Sequence, residues 1–337
     1  MEASESGEAA ILPDYSYAGY DFSESPIPEG PAASFPVEDF GAVANDAVSD
    51  RNAVQAALDA AAEAGGGVVL FKEGRYLLNT LEGGEAPLRL SKGNVVIRGA
   101  GSGADGSRLV FERHLDPLFP DKMYSTPFML HIEPLNTEET VLSKVVSVAE
   151  RGSFQLTVEN PEAFAAGDWI TLRLQDPKAV PYYFANRPLR PEWERLSTEG
   201  LGVSERHQVQ SVQGSVLRLR APLQTTVDPQ FDWTVCDYPS IEEVGIEGLR
   251  FVGGWKGDFV HHRSALDDGG WSGIRVENVR NGWIRDVVMN DWNYGMRLDD
   301  CSAFSVLRVR FGGTLGHHAM HTRGGYGVLF GLVSDTA

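Results

Sequence analysis

Apolar and polar residues alternate with a period of two in many short segments of the chain, which predicts β-strands. Residues 50–64 are the exception, because Val54 and Leu58 follow Asp50 at helical spacing. Asp50 is placed to be the N-cap of this helix, and the glycine triplet that begins at Gly65 ends it. The pattern therefore predicts one helix followed by short strands joined by glycine turns.

Three later segments align with one another and indicate a repeat. They are "GIRVEN" from Gly273, "GMRLDD" from Gly295 and "AMHTRG" from Ala319. Their spacing lies in the roughly 20–50-residue range of solenoid repeats, whose rungs bury each other's apolar edges. The corresponding side chains of neighbouring rungs should then form columns about 4.8 Å apart.

Strand alternation assigns a face to each column. The columns expected to point inward contain Ile274, Met296 and Met320, and then Val276, Leu298 and Thr322. The columns expected to point outward contain Arg275, Arg297 and His321, and then Glu277, Asp299 and Arg323. We place His317 and His318 in the corner before the last of these strands.

The segment that contains the helix, "DFGAVANDAVSDRNAVQAALDAAAEAGGGVVLFKEGRYLL", resembles the N-terminal signature of the pectate-lyase-like superfamily. The resemblance implies a right-handed parallel β-helix whose N-terminal end is capped by the helix at 50–64. It also implies activity on polysaccharides, as a lyase or a glycoside hydrolase. Residues 240–330 further resemble an uncharacterised group of β-helix proteins from polysaccharide-degrading bacteria, through "HHRSALDDGGW", "WIRDV" and "GHHAMHTR".

We therefore expect an all-β fold, a right-handed parallel β-helix with an N-terminal capping helix and an inserted small β domain. The expected divisions are a linker or surface arm at 1–36, β-helix at 37–135, the inserted domain with a long loop at 136–236, and β-helix at 237–337. The last part ends just after a rung strand, so we expect it to be truncated. In the inserted domain, Tyr182, Tyr183 and Trp193 are expected to pack locally, with sugar stacking as the alternative.

Charge and composition exclude several classes of partner. The formal net charge of −18 argues against nucleic acid, which favours a basic surface. No apolar run approaches the roughly 18 residues of a membrane span. We expect no signal peptide in the sequence as given. The resemblance nevertheless implies a secreted or periplasmic bacterial protein. We also expect the protein to be a monomer. Cys236 and Cys301 are expected to be buried thiols.

Titratable residues cluster on the outward columns and on the segment "GGWKGDFVHHRSALDDGGW" between two rungs. The candidate catalytic residues are His321, His318, Arg297, His262, Asp299 and Asp300. The candidate substrate-binding residues are Arg275, Arg323, His261, Arg263, Lys256, Trp271, Tyr294 and His317.

These residue types suit β-elimination from a uronate, which requires a cation at the sugar carboxylate, a base for the C5 proton and an acid for the leaving oxygen. Two alternatives stay open: a hydrolase of polygalacturonase type that uses paired carboxylates such as Asp299 with Glu277, and a glycan-binding β-helix without catalysis. We expect no metal cofactor, since the histidines lack zinc-motif spacing. Calcium held by Asp267, Asp268, Asp299 and Asp300 is the alternative, and no calcium-loop spacing supports it.

Overall fold

The computed structural model of the protein describes residues 14–314 and 316–335. Residues 1–13 of the predicted arm at 1–36 lie outside the described residues. The chain divides into two compact units. Of the described residues, one unit contains 14–17 and Glu138–Tyr238, and the other contains Ala18–Thr137 and those from Pro239 to 335. None of the described helices is long and apolar enough to cross a membrane.

Four α-helices and four 3₁₀ helices occur in the described residues. The α-helices are α1 (Arg51–Glu63), α2 (Ala179–Tyr183), α3 (Leu196–Glu199) and α4 (Ala265–Gly269). The 3₁₀ helices are Tyr20–Ser23, Val37–Phe40, Pro161–Ala163 and Pro191–Trp193.

The strands of the larger unit occupy two sheets. Those that precede residue 138 are β1 (Ser34–Pro36), β2 (Gly67–Leu70), β3 (Gly74–Asn79), β4 (Leu88–Leu90), β5 (Val95–Arg98), β6 (Ser107–Phe111) and β7 (Leu130–Ile132). The smaller unit contains β8 (Val141–Lys144), β9 (Gln155–Thr157), β10 (Trp169–Asp176), β11 (Leu201–Gln213), β12 (Val216–Leu219) and β13 (Thr234–Asp237). The larger unit continues with β14 (Ile241–Glu242), β15 (Gly245–Glu247), β16 (Leu249–Val252), β17 (Ser272–Glu277), β18 (Val279–Arg280), β19 (Trp283–Asn290), β20 (Tyr294–Asp299), β21 (Ser302–Gly312), β22 (His318–Arg323), β23 (Tyr326–Gly331) and β24 (Ser334–Asp335).

All strand pairs of the larger unit are parallel, in a 13-stranded sheet and a five-stranded sheet of order β22-β20-β17-β7-β4. Consecutive long strands alternate between them: β17, β20 and β22 lie in the five-stranded sheet, whereas β19, β21 and β23 lie in the larger one. Each of these strands pairs in parallel with the equivalent strand of the next repeat, so equivalent residues of successive repeats lie side by side. This pairing is what brings residues distant in sequence into one column.

The predicted register of the repeat is confirmed. Ile274 pairs with Met296 and Met296 with Met320, and the first two are fully buried in the core between the sheets. Met320 is half-buried against the same core, whereas Thr322, predicted to be inward, is exposed. Thr322 differs because β22 is the edge strand of the described sheet and has a neighbour on one side only.

Helix α1 begins where the sequence predicts, but the side chain of Asp50 does not cap it. The Asp50 carboxylate is 4% exposed and accepts hydrogen bonds from the backbone N–H groups of Val43 and Leu77. It therefore joins the loop before the helix to strand β3. Val54 and Leu58 are buried on the face of α1 that packs on β1, β2 and β4.

The smaller unit is a six-stranded antiparallel sheet of order β8-β13-β10-β11-β12-β9 with a core of its own. Leu217 and Leu219 are buried in that core and Arg218 between them is exposed, as the alternation predicts. Tyr183 packs against the core and donates a hydrogen bond to the Thr226 carbonyl. The rings of Tyr182 and Trp193 remain 46% and 47% exposed. Both cysteines, Cys236 and Cys301, are buried free thiols, as predicted.

Candidate functional site

The outward face of the five-stranded sheet carries a continuous column of basic side chains. Residues facing one another across adjacent strands supply it, in the order Arg89, His131, Arg275, Arg297 and His321. The predicted alignment of the last three is confirmed. A second outward column places Glu277 beside Asp299 and Asp299 beside Arg323, also as predicted.

The carboxylate of Asp299 contacts arginines of three neighbouring strands. Its oxygens are 2.7 Å from Nε of Arg297, 3.3 Å from Nη2 of Arg275 and 3.6 Å from Nε of Arg323. Asp299, which the sequence predicts to be a catalytic residue in an outward column, is completely buried. Because a buried charge needs compensation, Asp299 instead fixes the guanidinium groups of its neighbours.

The charge of these arginines is only partly neutralised. Arg275 also pairs with Glu277 at 2.5 Å, so two carboxylates are shared among three arginines. Burial raises the pKa of the Glu277 carboxyl, and the adjacent Arg275 opposes this effect. The side chain of Arg323 is 62% exposed and reaches Asp299 only at 3.6 Å. We call Arg275, Arg297 and Arg323 the arginine strip. Arg323 is the member of this strip that is best placed to bind an external carboxylate.

Tyr294 contacts the rings of His318 and His321. Its hydroxyl is 2.7 Å from Nδ1 of His321, and its ring centroid is 4.8 Å from that of His318. Burial raises the pKa of Tyr294 to about 12, which keeps the hydroxyl protonated at neutral pH. The rings of His318 and His321 are nearly parallel, with centroids 5.6 Å apart.

His318 has an environment different from that of His321. Burial lowers the pKa of His318, and the neighbouring His317, His321 and His261 lower it further through like-charge repulsion. The imidazole of His318 is thus favoured in its neutral form at neutral pH. His321 is instead anchored by its hydrogen bond to Tyr294. The two adjacent imidazoles are therefore suited to different roles in proton transfer.

The predicted corner position is wrong for His318 and holds for His317. His318 is the first residue of β22 and pairs with Tyr294, because its backbone N–H donates to the carbonyl of Asn293. His317 lies just before the strand, and its N–H donates to the side-chain oxygen of Asn293 at 2.7 Å. The buried Asn293 also donates to the carbonyls of Leu266 and Asp267. It thus fixes the histidine segment against α4.

The loop that contains His261 and His262 lies against this segment. The rings of His261 and His262 stack with centroids 3.7 Å apart, and His261 lies 5.2 Å from His317. Tyr124 forms a 2.6 Å hydrogen bond with Nε2 of His262. The His262 backbone N–H donates to the fully buried Asp268 at 2.9 Å. Five of the eight histidines therefore share one surface, which we call the histidine cluster: those at 261, 262, 317, 318 and 321.

The other predicted site residues differ in their surroundings. Arg263 forms an ion pair with Asp267, which lowers the pKa of that carboxyl. Trp271 is half-buried and packs against the main core. Lys256 is exposed, and no ion pair to it occurs in the described part of the chain. Asp300 follows β20 in a left-handed conformation, with φ of 52°, at the turn out of the strand.

The sequence interpretation missed Tyr124 and His131. His131 is 7% exposed, and burial lowers its pKa to about 4. Its segment "LHIE" follows the same apolar–cation–apolar–acid order as "IRVE" at 274–277 and "MRLD" at 296–299, and this order could have identified it. Tyr124 has no such signal, because it lies in a loop between strands.

Across residues 14–314 and 316–335, no group of three or more His, Cys, Asp or Glu side chains is arranged to hold a metal ion. Asp267 is engaged by Arg263 and Asp299 by several arginines, so these two of the carboxylates proposed for calcium are held by cations of the protein itself.

The chain resembles known proteins in part of its sequence and in its fold. A segment of 79 residues is 44% identical to mannuronan C5-epimerase AlgE3 of Azotobacter vinelandii and covers 23% of this chain and 4% of the epimerase. A segment of 74 residues is 40% identical to alginate lyase 7 of the same organism, covering 22% of this chain and 9% of the lyase. No protein-family profile matches the chain.

Among solved structures, the tailspike protein gp49 of Pseudomonas phage LKA1 is similar, with a TM-score of 0.54 and 18% sequence identity. The similarity covers 89% of this chain and 46% of the tailspike chain. At this identity the likeness shows the fold. The chain thus spans less than half of the tailspike chain and a small share of the two curated relatives.

Proposed function

We propose that the protein is a carbohydrate-active enzyme that cleaves a uronate-containing polysaccharide by β-elimination. The observation that carries the proposal is the pair of stacked imidazoles, His318 and His321, beside an arginine strip with surplus positive charge. The segment similarity to an alginate lyase and to mannuronan epimerases supports a uronate as the substrate. The tailspike likeness supports a right-handed parallel β-helix as the scaffold.

In the proposed reaction, Arg323 binds the sugar carboxylate and disperses the negative charge that develops when the C5 proton leaves. Neutral His318 accepts the C5 proton, and its lowered pKa makes it available as a base at neutral pH. The electron pair of the C5–H bond forms the C4–C5 double bond as the C4–O bond breaks. His321 donates a proton to the leaving oxygen.

Tyr294 has a positioning role in this scheme. Its hydroxyl holds Nδ1 of His321, so Nε2 of that ring is left for the substrate. Arg275 and Arg297 are held by Asp299. The ring of His317 stacks on the base, His318, and His261 lies beside His317. We expect the protein to act as a secreted or periplasmic monomer.

A hydrolase that uses paired carboxylates is the second candidate. The raised pKa of Glu277 favours it, because a general acid must be protonated at the working pH. Glu277 nevertheless pairs with Arg275, and its predicted partner Asp299 is buried. These contacts make the elimination the better-supported reaction.

The test is a product assay on polymannuronate, polyguluronate and polygalacturonate. An elimination yields an unsaturated uronate that absorbs ultraviolet light, together with new reducing ends. We expect His318→Ala to slow product formation by about 10²–10⁴-fold, the range of a lost general base, with unchanged thermal stability. His114→Ala is the matched control, since His114 lies outside the histidine cluster and should leave the rate unaltered.

New reducing ends without an unsaturated product would show that the reaction is hydrolysis and not elimination. Binding of the polymer without any cleavage would make the protein a glycan-binding module. A His318→Ala variant that remains fully active would remove the imidazole pair from the mechanism, whichever product is formed.

A further inference from the structure

The 13-stranded sheet carries a second outward column of cations, away from the residues assigned above. Arg75 on β3 faces Arg108 on β6, and Arg108 faces Arg250 on β16. Val288 is next in the column, and Arg310 on β21 follows it. Adjacent strands are about 4.8 Å apart, so four arginines are arranged in a line along five neighbouring strands. We call Arg75, Arg108, Arg250 and Arg310 the arginine column.

The charge of the arginine column is largely uncompensated. Arg75 pairs with Glu112. Arg250 donates from Nε to the carbonyl of Ser102 at 3.0 Å, which is a neutral partner. In the described chain, no carboxylate forms an ion pair with Arg108, Arg250 or Arg310. The protein as a whole has a formal charge of −18, so a local surplus of cations is out of keeping with the rest of its surface.

Arg108 is the least satisfied member. Its Nε atom is buried and has no hydrogen-bond partner among the residues described. A guanidinium that is partly withdrawn from water and left unpaired costs free energy, and a bound anion would recover it. Arg75 and Arg250 stand on either side of Arg108 and repel it as like charges. An external anion at Arg108 would relieve both costs.

The shape of the arginine column indicates the kind of anion. Guanidinium groups that converge on one point would bind a compact anion best. The guanidinium groups of the arginine column are instead spaced along a line. A pyranose residue in an extended chain advances by a length similar to the spacing of strands. Beside the cations, Val110 and Val252 form a half-exposed apolar strip that can take the C–H face of a sugar. Planar guanidinium groups also bind carboxylates in a bidentate manner.

We propose that the arginine column is a second binding site for an acidic polysaccharide chain, separate from the histidine cluster and without catalytic groups. It would hold the polymer on the protein while another stretch of the chain reaches the histidines. The choice of a polyuronate as the ligand rests on the proposed function, whereas the existence of an anion site rests on the arginines alone.

The test compares the binding of fluorescently labelled polymannuronate by the full chain, the double variant Arg108→Gln with Arg250→Gln, and a control. The control is Arg113→Gln with Arg308→Gln, which removes the same charge from exposed arginines that have carboxylate partners, Asp116 and Asp286. We expect the column variant to lose at least about tenfold in affinity, as expected when charge-assisted hydrogen bonds are lost. The control should stay within about twofold.

Binding should also weaken with added salt, and less steeply in the column variant. Equal affinity of the column variant and the wild type, or no binding of polymannuronate by either, would overturn the proposal. Tighter binding of double-stranded DNA than of polymannuronate through the same arginines would overturn the assignment to a glycan. If the column variant loses affinity but the wild type cleaves no polyuronate, the proposed enzyme activity fails and the binding site stands.

Discussion

Two outward columns of cations lie on the two parallel sheets of the larger unit, and they differ in what compensates their charge. On the five-stranded sheet, Arg275 and Arg297 meet Asp299 in the next outward column, so the arginines hold a buried carboxylate. On the 13-stranded sheet, no carboxylate of the described residues forms an ion pair with Arg108 or Arg250. The same residue type at the same kind of position is therefore structural in one column and available to a ligand in the other.

The difference arises one column away from the arginines. In the five-stranded sheet, the residues two positions after Arg275 and Arg297 are acidic, at Glu277 and Asp299. In the larger sheet, the corresponding positions are Val110 and Val252. An apolar neighbour cannot neutralise a guanidinium, and this contrast decides which arginines remain available.

The largest effect should come from removing the shared carboxylate. We expect Asp299→Asn to lower the free energy of unfolding by about 3 kcal/mol, because it leaves arginines of three neighbouring strands without their buried partner. Asp286→Asn is the matched control, since its ion pair with Arg308 is about half exposed and should contribute less than about 1 kcal/mol. Chemical denaturation of both variants measures the difference. Equal losses would mean that Asp299 does not organise its strip.

The burial of Asp299 shows where prediction from the sequence stops. The repeat of apolar and charged residues fixes the register, so the aligned segments are enough to predict the neighbours of Arg297 in its column. Whether a polar side chain in an outward column is exposed depends on which neighbours fold over it. Asp299 is expected to be accessible from alternation alone, yet long arginine side chains cover it. Asp50 is a similar case, since its position at the helix start was predictable and its bonds to a loop and a strand were not.

The candidate site divides in the same way. His321 and Arg297 follow from the repeat because they lie on strands. Tyr124 and His262 lie in loops, both with positive φ near 60°, and no periodicity constrains them. Their 2.6 Å hydrogen bond joins residues far apart in the sequence. Such contacts depend on loop conformation, which a single sequence does not specify.

A smaller effect should follow from changing the electrostatic surroundings of His318 without touching its ring. His317 lowers the pKa of His318 when it is charged, in addition to the larger effect of burial. His317→Gln should therefore raise the pKa of His318 toward its ordinary value of 6.5. Because the base must be neutral, activity is lost as the pH falls through this pKa. The acidic limb of the rate profile should thus move to higher pH, by less than about one unit.

The pH profile of kcat/KM for the wild type and His317→Gln measures this shift. His114→Gln serves as the control, because His114 does not contribute to the pKa of His318. An acidic limb that stays in place would mean that a group other than His318 is the base. A shift to lower pH would contradict the like-charge interaction between the two rings.

The smallest effect is expected in the arginine column. Arg108→Gln should lower the free energy of unfolding by no more than about 0.5 kcal/mol, since Arg108 makes no ion pair within the described chain and its neighbours Arg75 and Arg250 repel it. Arg297→Gln should cost more, because it removes the nearest cation from the buried Asp299. Denaturant midpoints of the two variants compare one arginine from each column directly. If Arg108→Gln proved the more destabilising of the two, the arginine column would stabilise the sheet. That result would contradict the proposal that these arginines are available to a ligand.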